Sequence, residues 1–189
     1  MVLNRIFKKQ TDEEKFVARI QEGDMAASKR LYDENARYLT AVCSRYVSND
    51  EDVKDVMQEA FLHIYSAIGS FHCRGEGSLR GWMARIVLNE SISYLRKNNR
   101  LNCCDLDTDH IDMTDEVQTE RIPTDVIYNA IRELPDGYRT VFNLYVVEQK
   151  SHKEIAALLG IKPDTSASQL HKAKAMLAKS LRQYERDNC

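Results

Sequence analysis

The sequence predicts an all-α protein made of two small helical domains joined by an acidic linker, the second containing a helix-turn-helix. Only 7 Gly and 3 Pro occur in 189 residues, too few for a turn-rich β protein. The 43% hydrophobic and 30% charged residues are typical of helices with ordinary cores. Apolar residues recur at helical spacing on both sides of residues 101–122. Because no apolar run approaches the roughly 20 residues of a membrane span, we expect no membrane insertion.

The acidic linker, residues 101–122, separates a first domain at residues 1–100 from a second at residues 123–189. Residues 101–120 hold seven acids and no Lys or Arg. They follow neither a helical nor an alternating period, which favours an irregular connection.

Helix starts in the first domain are marked by capping boxes, in which a Ser or Thr and a Glu three residues later bond each other's backbone amides. Thr11 with Glu14 and Ser48 with Glu51 fit this pattern, and Asp24 is a plausible further cap. The sequence therefore predicts a helix after each of these three positions.

The remaining pattern of the first domain gives its helix lengths. Apolar spacing predicts helices over about 25–47 and 49–68. The glycine-rich loop at 70–78 then leads into a helix that runs to about residue 98.

The second domain is punctuated by proline and glycine. Pro123 suits the first turn of a helix, and Pro135 ends that helix. Ser151 and Glu154 form another capping box. The helices at 151–159 and 164–186, joined by a short turn that begins at Gly160, have the lengths of a helix-turn-helix.

The last helix carries an apolar stripe and a polar stripe. The inward residues are expected to be Leu170, Ala173, Leu177, Leu181 and Tyr184. Gln and Ser side chains can bond base edges, whereas Lys neutralises phosphate, so the polar stripe favours DNA binding. The candidate contacts are Thr165, Ser166, Ser168, Gln169, His171, Lys172 and Lys179. The alternative is a solvated face of an ordinary helical hairpin.

The helix after the glycine-rich loop carries bases, an aromatic residue and an amide along one face. This combination suits single-stranded or melting DNA, where exposed bases stack and the backbone needs neutralising. The candidates are Arg74, Arg80, Trp82, Arg85, Asn89, Ser93, Arg96 and Lys97. Taken alone, a Trp at helical spacing is more often a core residue.

An acidic stripe precedes this basic region along the chain. Asp52, Asp55 and Glu59, with Gln58 beside them, repel DNA and therefore face either a basic protein surface or water. The net charge of -2 predicts weak DNA binding by the chain alone, because phosphate neutralisation supplies most non-specific affinity. We therefore expect a larger partner.

Catalytic and metal-binding patterns are missing from the sequence. It has no GxSxG, P-loop or HExxH motif, so we expect no enzymatic activity, no cofactor and no metal site. The five cysteines, Cys43, Cys73, Cys103, Cys104 and Cys189, lack CxxC spacing, which favours free thiols in the cytoplasm.

Several motifs in order resemble the extracytoplasmic-function (ECF) group of bacterial sigma factors. Residues 52–61 resemble its polymerase-binding helix, residues 79–97 its minus-ten reading helix, and residues 134–173 its minus-thirty-five domain. The resemblance implies contact of Asp52, Asp55, Gln58 and Glu59 with core RNA polymerase. It also implies a pocket for a flipped minus-ten base in loop 70–78.

The same resemblance implies partners and leaves alternatives. The partners would be core RNA polymerase, promoter DNA and an anti-sigma factor, in the cytoplasm. An autonomous helix-turn-helix repressor or activator is the first alternative, and it should bind duplex DNA alone, normally as a dimer. A helical interaction protein without a DNA role is the second. The last helix has fewer arginines than the family usually shows, so the promoter sequence stays open.

Overall fold

The computed structural model describes residues 11–98, 100–101 and 122–188. Within them it has α-helices and a 3-10 turn at Ile68–Ser70, which confirms the predicted all-α fold. The helices are α1 (Asp12–Gln21), α2 (Met25–Cys43), α3 (Asp50–Ala67), α4 (Ser78–Lys97), α5 (Thr124–Arg132), α6 (Asp136–Val146), α7 (His152–Leu159) and α8 (Pro163–Asn188). Among the described residues, none of these helices is long and apolar enough to cross a membrane.

The chain groups into two compact units. The first contains the described residues up to Cys43 and Val53–Glu90, and the second contains Ser44–Asp52 and the described residues from Ser91 onward. These units differ from the predicted domains at 1–100 and 123–189, whose boundaries stay a prediction. The linker at 101–122 lies outside the described residues, except for its buried ends Leu101 and Ile122.

The first unit is a helical core formed by α1, α2, most of α3 and the first part of α4. Its buried apolar residues are Val17, Ile20, Ala27, Leu31, Leu39, Val42, Cys43, Val53, Val56, Met57, Ala60, Phe61, Ile64, Ile68, Leu79, Met83, Val87 and Leu88. The Tyr65 hydroxyl on α3 donates to the Ser28 carbonyl on α2 at 3.0 Å. The Arg80 guanidinium lies 4.0 Å above the Tyr38 ring, which orients the start of α4 against α2.

Most of the predicted helix caps are confirmed. Both bonds of the Thr11 and Ser151 boxes are present, and the Asp24 carboxylate accepts from two amides at the start of α2. The box predicted at Ser48 is wrong, because the Asn49 side chain accepts from the amides of Glu51 and Asp52 instead. Asn is as good a cap as Ser, so α3 starts one residue later than the box implied.

The core of the second unit joins α5, α6 and α8. Its buried residues are Ile122, Ala130, Leu134, Tyr138, Ala173, Leu177 and Leu181. α7 packs on the first turns of α8, and Gly160 ends α7 in the left-handed conformation at φ 72°. A glycine is favoured there because it has no side chain to strain the turn.

A buried arginine joins α6 to the segment between α2 and α3. Arg139 is 2% exposed, and its guanidinium donates to the carbonyls of Leu134 at 2.7 Å and Tyr46 at 2.8 Å. It also pairs with the Asp136 carboxylate. Burial lowers the pKa of Arg139, and the Asp136 charge opposes that shift. One turn further along α6, the Asn143 amide donates to the Arg45 carbonyl at 2.7 Å.

Candidate polymerase and DNA interfaces

The acidic face of α3 is largely exposed. Val53, Val56 and Ala60 point into the core, so Asp55, Gln58 and Glu59 fall on the opposite side of the helix and are exposed. They follow one another at three- and one-residue steps, which gives a polar face bearing two carboxylates. The sequence predicted this exposure.

Asp52 differs from the other three acidic-face candidates. Its side chain is 21% exposed, and it accepts from Arg100 Nη1 at 2.7 Å. The pKa of Asp52 is lowered first by a hydrogen bond from Tyr94 and then by Arg100. This carboxylate is therefore engaged inside the second unit.

An apolar groove that the sequence did not predict lies beside this acidic face. It has a volume of about 410 Å³ between α2 and α3. The Tyr32 and Phe61 rings lie 4.6 Å apart there, and Leu62 and Tyr65 on its wall are exposed. Exposed large apolar side chains grouped around a groove are a surface suited to another protein. Their interruption of the polar face of α3 was the available sequence signal.

A cavity of about 470 Å³ opens between loop 70–78 and the first turns of α4. Its lining is Ser70, Phe71, His72, Arg74, Ser78, Gly81, Trp82 and Arg85. The rings of Phe71 and Trp82 lie 4.9 Å apart at 40°, and the two arginines are exposed. We call this the loop pocket. Three predicted minus-ten residues, Arg74, Trp82 and Arg85, therefore meet at one site.

The other predicted minus-ten residues lie outside the pocket. Asn89, Ser93 and Lys97 are exposed along α4, as the spacing indicated. Arg80 is exposed but rests on Tyr38. Arg96 is exposed and donates to the Leu158 carbonyl of α7 at 2.5 Å, a contact within the second unit.

The outward placement of Ser166 and Gln169 on α8 is wrong. Ser166 is 0% and Gln169 8% exposed, and the Ser166 hydroxyl lies 3.0 Å from Nδ1 of His152 on α7. The predicted apolar stripe began only at Leu170. Because α7 covers the first turns of α8, the buried arc is wider there and includes these two polar residues.

The exposed face of α8 is consequently shifted by about one residue from the predicted one. Ser168, His171 and Lys179 are exposed, as is Lys174, which was not among the candidates. Thr165 and Lys172 are half-buried. The Tyr145 ring stacks on His152 at 4.8 Å and lies 6.0 Å from the Lys174 ammonium. Tyr145 lies on α6, so these contacts join α6 to both helices of the helix-turn-helix.

The remaining groups of chemical interest are the possible metal ligands and the cysteine thiols. Within residues 11–98, 100–101 and 122–188, no cluster of three or more His, Cys, Asp or Glu could hold a metal ion. Cys73 is a free thiol, and burial raises its pKa. Cys103, Cys104 and Cys189 lie outside the described residues.

Two regions of one protein family match this chain in order. Residues 31–101 match sigma-70 region 2, and residues 124–177 match sigma-70 region 4. The ECF RNA polymerase sigma-E factor of Haemophilus influenzae is 28% identical over 89% of this chain and 94% of its own length. This chain belongs to the ECF group of sigma factors.

Another relative and a solved structure are similar to this sigma factor. The ECF RNA polymerase sigma factor SigW of Bacillus subtilis is 28% identical over 89% of this chain and 96% of its own length. The structure of the sigma factor RpoE from Bartonella quintana, solved with the anti-sigma factor NepR, has 21% identity and a TM-score of 0.48. It covers 82% of this chain and 96% of that chain.

The family assignment fixes the general activity. As an ECF sigma factor, the protein directs core RNA polymerase to promoters and takes part in opening DNA at initiation. An autonomous repressor or activator is not favoured, since a helix-turn-helix regulator has no need of region 2. The region 2 match contains the acidic face of α3 and the loop pocket, whereas α1 lies before its first residue, 31.

Proposed function

We propose that this sigma factor divides its work among three surfaces. The acidic face of α3 binds core polymerase, the loop pocket and the adjoining face of α4 hold the single-stranded minus-ten element, and the exposed face of α8 reads the minus-thirty-five element. The observation that carries the proposal is the loop pocket, where two aromatic rings and two arginines surround one open cavity.

The chemistry of the loop pocket suits an extruded base. Base stacking on aromatic side chains contributes about 1–3 kcal/mol, comparable with the few kcal/mol needed to unstack a base. Phe71 and Trp82 offer the stacking surface. Arg85 is placed to bond the edge of the captured base, and Arg74 to neutralise a flanking phosphate. The His72 imidazole, whose Nδ1 lies 2.8 Å from the Ser70 carbonyl, adds a polar edge to the cavity.

The test of the loop pocket compares templates with and without the captured base. The affinity of polymerase carrying either the parent chain or Arg85→Ala is measured for DNA in which the minus-ten element is single-stranded. One set of templates is intact, and in the other each minus-ten base in turn is replaced by an abasic unit. Arg37→Ala, an exposed arginine of α2 outside the pocket, is the control.

Two outcomes separate the possibilities. We expect Arg85→Ala to weaken binding of intact DNA and to reduce the penalty for removing one particular base. Arg37→Ala should leave that penalty unchanged. Equal weakening on every template would mean that Arg85 acts only as a general cation and that the pocket captures no base.

The polymerase surface follows from charge. Asp55 and Glu59 are exposed with Gln58 between them, and such a carboxylate face repels DNA but complements a basic protein surface. Asp52 would join it only after leaving Arg100, because its carboxylate is engaged in this structure. The apolar groove next to this face adds surface for the same partner.

The proposed minus-thirty-five surface consists of the α8 residues that are exposed in the structure. Ser168 and His171 lie on the exposed side of its first turns, where a recognition helix contacts base edges. Thr165 and Lys172 flank them at the border of the buried arc, and Lys179 lies further along for phosphate contact.

Binding to core polymerase also bears on where the chain would act and how it would be regulated. Because core polymerase works on chromosomal DNA, the chain would act in the cytoplasm. An anti-sigma factor stays an expectation from the family resemblance. Co-purification of the chain with core polymerase from cells tests the first point directly, and its failure would remove the basis for all three surfaces.

A further inference from the structure

Helix α1 contacts both ends of the loop that forms the pocket. Near its C-terminal end, Gln21 Nε2 donates to the Ile68 carbonyl at 2.8 Å and the Phe71 carbonyl at 3.2 Å, where the chain enters the loop. Near its N-terminal end, Glu13 reaches the residues where the chain leaves it. Gln21 lies eight positions after Glu13 in the helix, a span of about 12 Å. α1 therefore braces the loop from entry to exit.

The Glu13 carboxylate caps α4 from a distant part of the sequence. Its Oε2 accepts from the Gly77 amide at 2.7 Å, and its Oε1 accepts from the Leu79 amide at 2.8 Å and the Ser78 hydroxyl at 2.9 Å. Gly77, the residue before α4, has no side chain with which to cap the helix. A carboxylate is the favoured group at a helix N-terminus, because unpaired amides and the helix dipole both attract it.

Ser78 connects the Glu13 carboxylate to the residues that line the loop pocket. Its hydroxyl accepts from the Arg74 amide at 3.1 Å, and its own amide donates to the Gly75 carbonyl at 3.2 Å. Arg74 and Ser78 both line the loop pocket. Gly75 and Gly77 have φ values of 132° and 77°, so this backbone is flexible unless other groups hold it. The carboxylate of Glu13 is such a group.

We propose that Glu13 is a positioning residue for base capture, and that α1 acts through it to keep the loop pocket formed before DNA arrives. The proposal rests on the proposed function of that pocket. It concerns a helix outside the residues that match sigma-70 region 2. A loop held in its binding geometry loses less conformational entropy when the base enters, so the expected effect is on affinity for the captured base.

The first experiment compares two adjacent carboxylates of α1 in the polymerase complex. Glu13→Ala removes the loop cap, whereas Asp12→Ala removes an exposed charge that pairs with Lys15 on α1 itself. Binding is measured on the same intact and abasic minus-ten templates. The stability contributed by one hydrogen bond to a charged group corresponds to about a tenfold change in an equilibrium constant. If that stability holds the loop in its binding geometry, Glu13→Ala should reduce the preference for the captured base about tenfold. Asp12→Ala should keep it.

The second experiment follows the loop in the full-length chain without polymerase. Trp82 is the single tryptophan and lines the pocket, so quenching of its emission by acrylamide reports opening of the loop. Hydrogen exchange of the Leu79 amide reports loss of the cap. Both should increase in Glu13→Ala and stay at the parent level in Asp12→Ala. Glu13→Gln, which keeps the length and one acceptor oxygen, should lie between them.

The outcomes distinguish this proposal from the one on which it rests. If Arg85→Ala loses the base preference but Glu13→Ala keeps it, the positioning role is overturned and the pocket stands. If Arg85→Ala also keeps the preference, the pocket assignment fails, and the role of Glu13 fails with it. Unchanged Leu79 exchange in Glu13→Ala would show that the carboxylate does not hold the loop, whatever the DNA measurements give.

Discussion

Arg139→Met is expected to destabilise the second unit strongly. The substitution keeps an apolar stem of similar reach but removes every donor of a guanidinium that is 2% exposed. The Leu134 and Tyr46 carbonyls then lose a buried partner, and Asp136 loses its counter-charge. A buried acceptor left without a donor costs about 1–3 kcal/mol, and breaking a buried ion pair about 3–5 kcal/mol. Because these effects overlap, we expect a loss of about 3–5 kcal/mol in the free energy of unfolding.

Urea unfolding monitored by far-ultraviolet circular dichroism measures this loss, since most described residues are helical. Trp82 emission follows the first unit and so helps to separate the two transitions. Arg132→Met is the matched control. The Arg132 side chain is half exposed and pairs with the exposed Asp50 at 2.7 Å, so its removal should cost less than about 1 kcal/mol. If Arg139→Met cost no more than Arg132→Met, the guanidinium would not be holding these carbonyls.

Three further predictions concern the surfaces and one buried hydroxyl. Asp55→Lys should prevent co-elution with core polymerase on size exclusion without changing the melting temperature. Glu22→Lys, at the exposed end of α1, is the control and should co-elute normally. If the two variants co-eluted equally well, α3 would not be part of the polymerase interface. His171→Ala should lower discrimination at one minus-thirty-five base pair by about 1–3 kcal/mol, measured by transcription from a randomised library. Gln169→Ala should lower stability and leave base preference unchanged, because Gln169 is buried. The reverse result would support the face of α8 predicted from the sequence. Tyr46→Phe should leave the free energy of unfolding in urea unchanged or raise it by up to about 1 kcal/mol, because the described residues provide no hydrogen-bond partner for this buried hydroxyl. A loss of more than about 1 kcal/mol would show that the hydroxyl has a hydrogen-bond partner.

The sequence predicted features that depend on neighbouring residues. The Thr11 and Ser151 boxes were correct because both partners of each bond lie within one helical turn. Glycine content predicted the loop, and helical spacing placed Arg85 near Trp82, whereas a pocket in that loop was implied only by the family resemblance. The error at Ser48 arose where two adjacent residues could both cap, and local sequence does not decide between them.

Features that depend on distant contacts were not predictable in the same way. Ser166 is small and polar, and only the packing of α7 on α8 buries it. Glu13 resembles any acid in a first helical turn, and its partners lie 64 to 66 residues away. Arg139 would ordinarily be exposed, and its burial depends on carbonyls elsewhere in the fold.

The bond from Arg139 to the Tyr46 carbonyl has a consequence for synthesis of the chain. It joins residues 93 apart, and the Asn143 bond to the Arg45 carbonyl joins residues 98 apart. At about 5–20 residues per second, the ribosome needs about 5–20 s to make α6 after it has made this segment. During that interval residues 44–52 have no guanidinium or amide from α6 to hold their carbonyls. A nascent chain stalled after α5 should therefore be cleaved by protease within this segment, and one stalled well beyond α6 should resist cleavage there.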